Sequence, residues 1–409
     1  MLACLDQLPA ELLLLILNYV SIDNQATLSL ASLCLTSPRI RGLAEPYLYE
    51  SYSNKDHIEK PHLFPLSLIK RPSLADHVRE IDLHVPYRGY LEPIPEDALR
   101  DLLAAIDAMN LPSDLTRKYK DFIGLLGVPR IAACAELVLV LASRHLESLS
   151  LYLKNFGGII RPEEFFMISH ILFDTPNWSG NFEKVRSVSI KFSGFNRGLY
   201  DFAFVFKMPS LRHVEFTGCE ERSLGQSLGW DNHGKLEANL GQWGLVHDSG
   251  VETIILRASD FGHSVVNVLL NCCKAVKSLH VEVDLPKSEW GIFQFFRLQD
   301  ALCRHTGSLE QLVIVQDAKN RSRQKEPGFG NSGTLAFLSQ LCRLRSVVVP
   351  WRPLAANLDV GSMHLALDYD HWASHIIALR TFLPPSAGNV SICNGNVHYG
   401  DTKHLSGLA

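Results

Sequence analysis

A six-residue pattern of apolar positions recurs eight times between residues 78 and 349, and it limits the possible folds more than any other feature of the chain. Each copy has an apolar residue, two others, an apolar residue, one other and a last apolar residue. The copies begin at Val78, Leu146, Val185, Leu211, Val251, Val276, Leu309 and Leu344. The last two apolar positions lie two residues apart, so both point to one face of a β-strand. The pattern therefore predicts eight strands, each preceded by a turn that the first apolar residue anchors.

The segments between these copies have helical periodicity, which predicts the α/β class. The predicted helices cover Asp97–Met109, Ile131–Ser143, Glu163–Phe173, Ser264–Cys273, Phe293–His305 and Thr334–Cys342. Helices alternating with a repeated strand signature are typical of a solenoid, and the eight copies resemble the strand segment of leucine-rich repeats. Because the copies are unequally spaced, the resemblance implies an irregular leucine-rich-repeat-like solenoid. The alternative is a doubly wound α/β domain, which also alternates helices and strands.

The first fifty residues predict three short helices with more leucine than they can bury among themselves. Pro9 suits the first position of a helix, and the apolar run of residues 12–17 follows it. On that helix Glu11 and Asn18 share one narrow polar strip, and nearly all the remaining circumference is apolar. Further helices are predicted over Asn24–Leu33, capped by Asp23, and over Pro38–Glu45, capped by Ser37 and stopped by Pro46. Part of the apolar surface should therefore be covered by something else.

This stretch resembles the F-box, in its fungal form. The matching residues are Leu8-Pro9-x-Glu11-Leu12-Leu13, Ile16-Leu17-x-Tyr19-Val20, Leu28, Leu30, Ser32-Leu33-Cys34 and Leu43-Ala44-Glu45-Pro46-x-Leu48-Tyr49. The sequence departs from the family at Cys34-Leu35-Thr36, where many members carry a basic or aromatic residue after the Cys. The resemblance implies binding to the Skp adaptor of an SCF-type (cullin-RING) ubiquitin ligase, through Leu8, Pro9, Leu12, Leu13, Ile16, Leu17, Val20, Leu28 and Leu33. The alternative is an amphipathic helical hairpin that seals the end of a larger domain.

These patterns divide the chain into four parts. The F-box helices occupy residues 1–52, a connector 53–77, the solenoid 78–352 and a C-terminal cap 353–409. Insertions are predicted at 97–143, which is helical, and at 218–250, a glycine-rich loop of the kind that is often functional or disordered. Within the cap, Tyr369–Phe382 is predicted as a helix and Val390–Tyr399 as a closing strand.

Composition excludes several classes of protein. The net charge of −4 argues against a general nucleic-acid surface, and no apolar stretch is long enough for a membrane span. Nine cysteines occur without a C-x-x-C pair, so we expect reduced thiols in a cytoplasmic or nuclear protein. The apolar run of residues 12–17 is not typical of a signal peptide, since Asp6 and no Lys or Arg precedes it.

Three motifs suggest catalysis or ligand binding, and each lacks its structural context. Ser227 lies in a G-x-S-x-G match, but polar residues precede it where a nucleophile elbow needs a strand. The G-x-G-x-x-G match of residues 328–333 lies well after the preceding predicted strand. His371 and His375, near Asp368, supply too few ligands for a metal site. We therefore expect no catalytic residue, cofactor or metal. The alternatives are a serine hydrolase using Ser227 and an F-box scaffold acting outside a ligase.

The resemblance implies that the repeats bind a protein substrate, and the later strand units offer an apolar face for this. In the early units the residues between the buried positions are polar, whereas in later units many are apolar. A strand that is apolar on both faces needs a cover on both sides. We predict that the substrate-binding surface consists of Ile255, Arg257, His280, Val313, Val315, Val348 and Trp351. The alternative is that residues 353–409 fold back over this face.

Overall fold

The computed structural model describes residues 5–22, 26–55, 58–85, 92–125, 128–154, 180–193, 199–219, 247–259, 263–283, 298–316, 335–350, 386 and 389–393. The chain divides into two compact units, Met1–Arg186 and Ser187–Ala409.

The first unit begins with the three predicted helices. A 3-10 helix at Leu5–Gln7 precedes α1 (Ala10–Ser21), α2 (Ala26–Cys34) and α3 (Pro38–Glu50). The Ser37 hydroxyl caps α3 by accepting a hydrogen bond of 3.1 Å from the Ile40 N–H, as predicted. The predicted stop at Pro46 is wrong, because α3 continues through this proline to Glu50. A proline removes one helical hydrogen bond, and the packing of Tyr47 and Leu48, which follow Pro46, against the core of the three helices offsets this loss.

Three parallel strands and four more α-helices follow in the described part of the first unit. The strands are β1 (Ser51–Ser53), β2 (Glu80–Val85) and β3 (Ser148–Lys154). The α-helices are α4 (Leu63–Lys70), α5 (Glu96–Ala108), α6 (Ser113–Gly124) and α7 (Val128–Ala142), and a 3-10 helix covers Pro72–His77. The strands pair in chain order, β1 with β2 and β2 with β3.

The N-terminal helices are joined to this sheet without a free linker. Helix α3 ends at Glu50 and β1 begins at Ser51. The Arg71 guanidinium donates two hydrogen bonds, of 2.7 and 2.6 Å, to the Glu45 carboxylate, and these hydrogen bonds lower the pKa of that carboxyl group. The ring of Tyr52 stacks on Phe64 with 3.7 Å between centroids. The residues predicted as a connector, 53–77, thus contain the end of β1, α4 and a 3-10 helix.

In the second unit, the described residues form seven parallel strands that also pair in chain order. The strands are β4 (Ser187–Ser193), β5 (His213–Thr217), β6 (Thr253–Ser259), β7 (Ser278–Val283), β8 (Gln311–Gln316), β9 (Ser346–Pro350) and β10 (Asn389–Cys393). The helices are α8 (His263–Cys272), α9 (Gln299–Cys303) and 3-10 helices at Leu199–Lys207 and Leu335–Gln340. Each strand pairs with the next, from β4 to β10.

The eight predicted strands are confirmed as β2 to β9, and the pattern has a direct structural cause. The first apolar residue of every copy is fully buried, and so is the residue three positions later. The residue directly after the first apolar position also links successive strands through its carbonyl oxygen. Lys277, for example, accepts hydrogen bonds from the N–H groups of Glu310 and Gln311. In the second unit these positions alternate in charge, and Glu252 pairs with both Arg212 (3.9 Å) and Lys277 (2.7 Å).

The predicted leucine-rich-repeat-like solenoid is wrong, and no solenoid is indicated. Among the described residues, α5 to α7 lie between β2 and β3, a 3-10 helix lies between β4 and β5, and α8 and α9 follow β6 and β7. A solenoid stacks copies of one supersecondary unit, whereas here only the strand is repeated. The structure is an α/β fold with parallel strands and helices. Within each unit the strand order follows the chain without the reversal of a doubly wound sheet.

Several helix predictions are confirmed in part. Asp97–Met109, Ile131–Ser143 and Ser264–Cys273 correspond to α5, α7 and α8 within a few residues. Residues 335–340 form a 3-10 helix where an α-helix was predicted, and the predicted helices at 163–173 and 369–382 lie outside the described residues. Strand β10 covers the start of the predicted closing strand. No helix among the described residues is both long and apolar enough to cross a membrane.

Candidate protein-interaction surfaces

Helix α1 buries only a narrow stripe of its leucines. Leu13 and Leu17 are each 2% exposed, and Leu17 packs with Leu30, Cys34 and Ala44 in the core of the three helices. The other large apolar residues of α1 point away from this core. Leu15 is 65% exposed, Tyr19 is 81% exposed, and Leu12, Leu14 and Ile16 are also exposed. The helix therefore leaves most of its apolar circumference without a partner within the described chain.

The exposed residues form a continuous arc on α1. At 100° per residue, Ile16, Leu12, Tyr19, Leu15 and the following Ile22 succeed one another around about a third of the helix. Glu11 and Asn18 lie beside this arc as a polar strip. Leu28 on α2 and Leu35 after it are 72% and 80% exposed. Leu14, also exposed, lies on the other side of the polar strip. We call these seven exposed residues, together with Leu14 and Pro9, the N-terminal apolar patch: Pro9, Leu12, Leu14, Leu15, Ile16, Tyr19, Ile22, Leu28 and Leu35.

The nine residues predicted to bind an adaptor occupy three different environments. Pro9, Leu12, Ile16 and Leu28 are exposed, whereas Leu8, Val20 and Leu33 are half-buried. Leu13 and Leu17 are buried and belong to the core of the helices. Five members of the patch were not among the residues predicted to bind the adaptor: Leu14, Leu15, Tyr19, Ile22 and Leu35. A helical-wheel count around the Leu13–Leu17 stripe could have identified those on α1.

Polar contacts hold the start of the chain against α3 and so fix the base of the patch. The Ser37 hydroxyl donates to an Asp6 carboxylate oxygen at 2.8 Å. The Arg39 guanidinium donates to the carbonyl oxygens of Asp6 and Leu8, and the Arg41 guanidinium donates to that of Cys34. Burial raises the pKa of the Cys34 thiol, so this thiol stays protonated as part of the core. The patch therefore stands on a braced three-helix base.

A second candidate surface lies on the second unit, where one residue from each of five strands is in direct register. Glu215, Ile255, His280, Val313 and Val348 pair across β5 to β9. All five are half-buried, whereas their sequence neighbours whose burial is described, such as Ile254 and Leu256, are buried. Neighbouring strands lie about 4.8 Å apart, so the row is about 19 Å long. We call these five residues the cross-strand row.

The cross-strand row has a charged end at β5 and β6. The Arg257 Nε donates to a Glu215 carboxylate oxygen at 2.7 Å. His280 lies one strand further along, and its pKa is lowered by burial and by the positive charge of Arg257, against the opposing effect of Glu215. His280 is therefore neutral at pH 7, and the centre of the row is uncharged between Ile255 and Val313.

The structure brings together four of the seven residues predicted to bind substrate. Ile255, His280, Val313 and Val348 lie in the cross-strand row, and Arg257 pairs with Thr217 in the next register position on the same face. Val315 lies in β8 opposite Glu282. Trp351 lies outside the described residues. Sequence reasoning did not include Glu215 in the predicted surface, because the partner of Arg257 comes from a strand about forty residues earlier in the chain.

The backbone is irregular at the carboxyl ends of the strands beside Arg257. The pairing of β6 with β7 shifts between Leu256 and Ser259, which marks a β-bulge. Gly218 follows β5 with φ of +70°, and a side chain there would meet the Phe192 carbonyl oxygen. Its N–H donates to the Arg257 carbonyl oxygen at 2.9 Å. Only glycine fits this close approach, which fixes the chain where β5 ends.

The residues of the weak catalytic motifs, Ser227, Gly328–Gly333, Asp368, His371 and His375, lie outside the described part of the chain. Within the described ranges, no group of three or more His, Cys, Asp or Glu side chains is placed to hold a metal ion.

Comparison with known proteins adds no relative. No family model matches the chain, and no curated protein matches it.

Proposed function

We propose that this chain is the substrate-recognition subunit of an SCF-type ubiquitin ligase, whose N-terminal apolar patch binds the Skp adaptor. The single observation that supports this most is the exposure of α1. A folded three-helix module whose central leucines are buried carries eight large apolar side chains at its surface, five of them in one arc of α1, and exposed apolar surface of this kind is typical of a protein-binding site.

The F-box-like residues account for both halves of this arrangement. Leu13, Leu17, Leu30 and Cys34 of the motif are buried in the core, whereas the motif residues Leu12, Ile16 and Leu28 are exposed. Helix insertion into an apolar groove is a common mode of protein recognition. An adaptor groove that receives the outer face of α1 would bury Leu15 and Tyr19, and the Glu11–Asn18 strip would lie at its solvent edge.

The second unit supplies the proposed substrate surface. The cross-strand row combines the apolar side chains of Ile255, Val313 and Val348 with a neutral histidine and an ion pair at one end. Such a mixture of an apolar centre and a charged rim is typical of protein interfaces. The chain itself then performs no bond chemistry, because it raises the effective concentration of substrate near a ubiquitin-charged partner.

The proposal is tested by adding purified Skp adaptor to the immobilised full-length chain. We expect retention of the adaptor by the wild type and weaker retention by a Leu12→Ser, Tyr19→Ser variant, because both side chains are exposed in the free chain. The matched control is Leu63→Ser, since Leu63 on α4 is an exposed leucine outside the N-terminal helices. If all three proteins retain adaptor equally, or none does, the patch is not an adaptor site.

A further inference from the structure

Arg130 is a buried cation that has no acidic partner among the described residues. It lies on α7 and is 5% exposed. Its Nε donates to the Ile123 carbonyl oxygen at 3.1 Å, and one Nη donates to the Glu92 carbonyl oxygen at 3.3 Å. Among the described residues, no carboxylate forms an ion pair with this guanidinium. Burying a charge is costly unless an opposite charge accompanies it.

The two carbonyl contacts explain only part of this burial. Ile123 lies in the last turn of α6, so Arg130 caps the carboxyl end of that helix and gains from its dipole. A guanidinium has five N–H donors, and the two hydrogen bonds leave three of them without an acceptor in the described chain.

His62 is a second buried group with an unsatisfied nitrogen in the same region. It directly precedes α4, which packs on α7. His62 is 4% exposed, and its Nδ1 has no hydrogen-bond partner. Burial, followed by the positive charge of Arg130, lowers the pKa of His62. The imidazole is therefore neutral at pH 7, and its Nδ1 remains unpaired.

Glu92 connects the two groups and marks the route to solvent. Its carbonyl oxygen accepts from Arg130, and its N–H donates to the Glu59 carbonyl oxygen at 3.2 Å. Its carboxylate pairs with Lys60 at 3.3 Å, and both of these side chains are nearly half exposed. The Glu92 carboxylate, which is the acidic group acting on His62, is thus already paired with Lys60. The charge of Arg130 remains unbalanced among the described residues, which favours an anion.

We propose that Arg130 and His62 form a binding site for a small oxyanion, the class that includes phosphate, sulfate and carboxylates. The free N–H groups of the guanidinium form a planar fork that fits two oxygens of such an anion. His62 donates from Nδ1 once it is protonated, and the anion neutralises both cations. Lys60 lies at the exposed edge and attracts the anion. This site is independent of the adaptor and substrate surfaces.

Binding at this site takes up a proton. A bound anion favours the charged imidazole and raises the pKa of His62, so His62 gains a proton that it lacks in the free protein at the same pH. By linkage, the anion binds more tightly as the pH falls from 8 to 6. Sulfate is the appropriate probe, because it keeps a constant charge over this range whereas phosphate titrates.

The test uses the full-length protein labelled with carbon-13 at the histidine rings and titrated by NMR from pH 8 to 5, in sodium sulfate and in sodium chloride of equal ionic strength. The chain has 17 histidines, and the His62 signal is identified by its loss in His62→Gln. We expect sulfate to raise the pKa of His62. His305 is the internal control, since it is buried with both ring nitrogens hydrogen-bonded, to the Val276 N–H and the Leu270 carbonyl oxygen.

Affinity measurements complete the test. We expect sulfate to bind the wild type about 3- to 10-fold more tightly at pH 6 than at pH 8, the range given by a modest change in pKa. In His62→Gln this pH dependence is lost, and in Arg130→Lys binding weakens at both pH values because the fork is absent. A His62 titration that is the same in sulfate and chloride overturns the proposal, and so does an equal change at His305. Both readings are taken on the wild type, and where His62→Gln fails to fold, His62→Asn assigns the His62 signal instead.

Discussion

Leu15 and Leu17 offer a sharp test of the N-terminal apolar patch, because they lie two residues apart on α1 in opposite environments. Leu15 is 65% exposed and Leu17 is 2% exposed. A leucine-to-alanine change removes three carbons, worth about 2.4 kcal/mol at about 0.8 kcal/mol per buried carbon. For Leu15, the exposed fraction leaves about 1.6 kcal/mol for a partner to gain by covering it. Leu15→Ala should therefore weaken adaptor binding by about 10- to 15-fold.

Leu17→Ala should destabilise the fold much more than Leu15→Ala, the reverse of the order expected for adaptor binding. Leu15→Ala should change the free energy of unfolding by no more than about 0.5 kcal/mol, as is usual for surface positions. Leu17→Ala leaves a cavity in the three-helix core and should cost about 2–5 kcal/mol. Adaptor affinity is measured by calorimetry and unfolding by urea titration, with Leu63→Ala as the control at an exposed leucine outside the patch. An adaptor affinity of Leu15→Ala within twofold of the wild type would refute the assignment of this face.

Three further predictions test other parts of the account. Burial lowers the pKa of His305, so the unfolded state binds a proton at this residue before the folded state does as the pH falls below about 6.5. The wild type should therefore lose stability to urea between pH 7.5 and 5.5, and His305→Gln should lose less over that range. Val313→Asp with Val348→Lys places opposite charges in register and should abolish substrate capture in cells with little change in melting temperature, whereas a collapse of the melting temperature shows that both valines are core. Ser227→Ala should retain adaptor binding, and the wild type should not react with a fluorophosphonate probe; labelling at Ser227 contradicts a non-catalytic role.

The strands were predictable because their determinant is local. Each copy of the six-residue pattern contains its own burial alternation, so Ile254 and Leu256, or Leu279 and Val281, identify one face of a strand without reference to any neighbour. The same pattern misled the prediction of a solenoid. It contains no information on the connecting segments. Among the described residues these range from three α-helices between β2 and β3 to a 3-10 helix between β4 and β5.

The interaction surfaces were predictable only in part, because exposure depends on contacts between distant residues. The amphipathic stripe of α1 was visible in the sequence, but the place of Leu17 in the core depends on its packing with Leu30, Cys34 and Ala44. The pairing of Arg257 with Glu215 depends on strand register. The buried Arg130 and His62 carry no sequence signal at all, since the partners of Arg130 are carbonyl oxygens and the burial of both groups follows from the packing of α4, α6 and α7.

The central claim is that the chain joins an adaptor and a cullin, and the most direct measurement is the mass of the assembly in solution. The purified chain is mixed with Skp adaptor and the adaptor-binding part of a cullin, and the mixture is separated by size-exclusion chromatography with light scattering. The account predicts one species with the mass of a 1:1:1 complex. The Leu12→Ser, Tyr19→Ser variant should form less of this complex. A complex with adaptor that excludes the cullin would place the chain outside a ligase, and a chain that elutes alone at its own mass would contradict the claim.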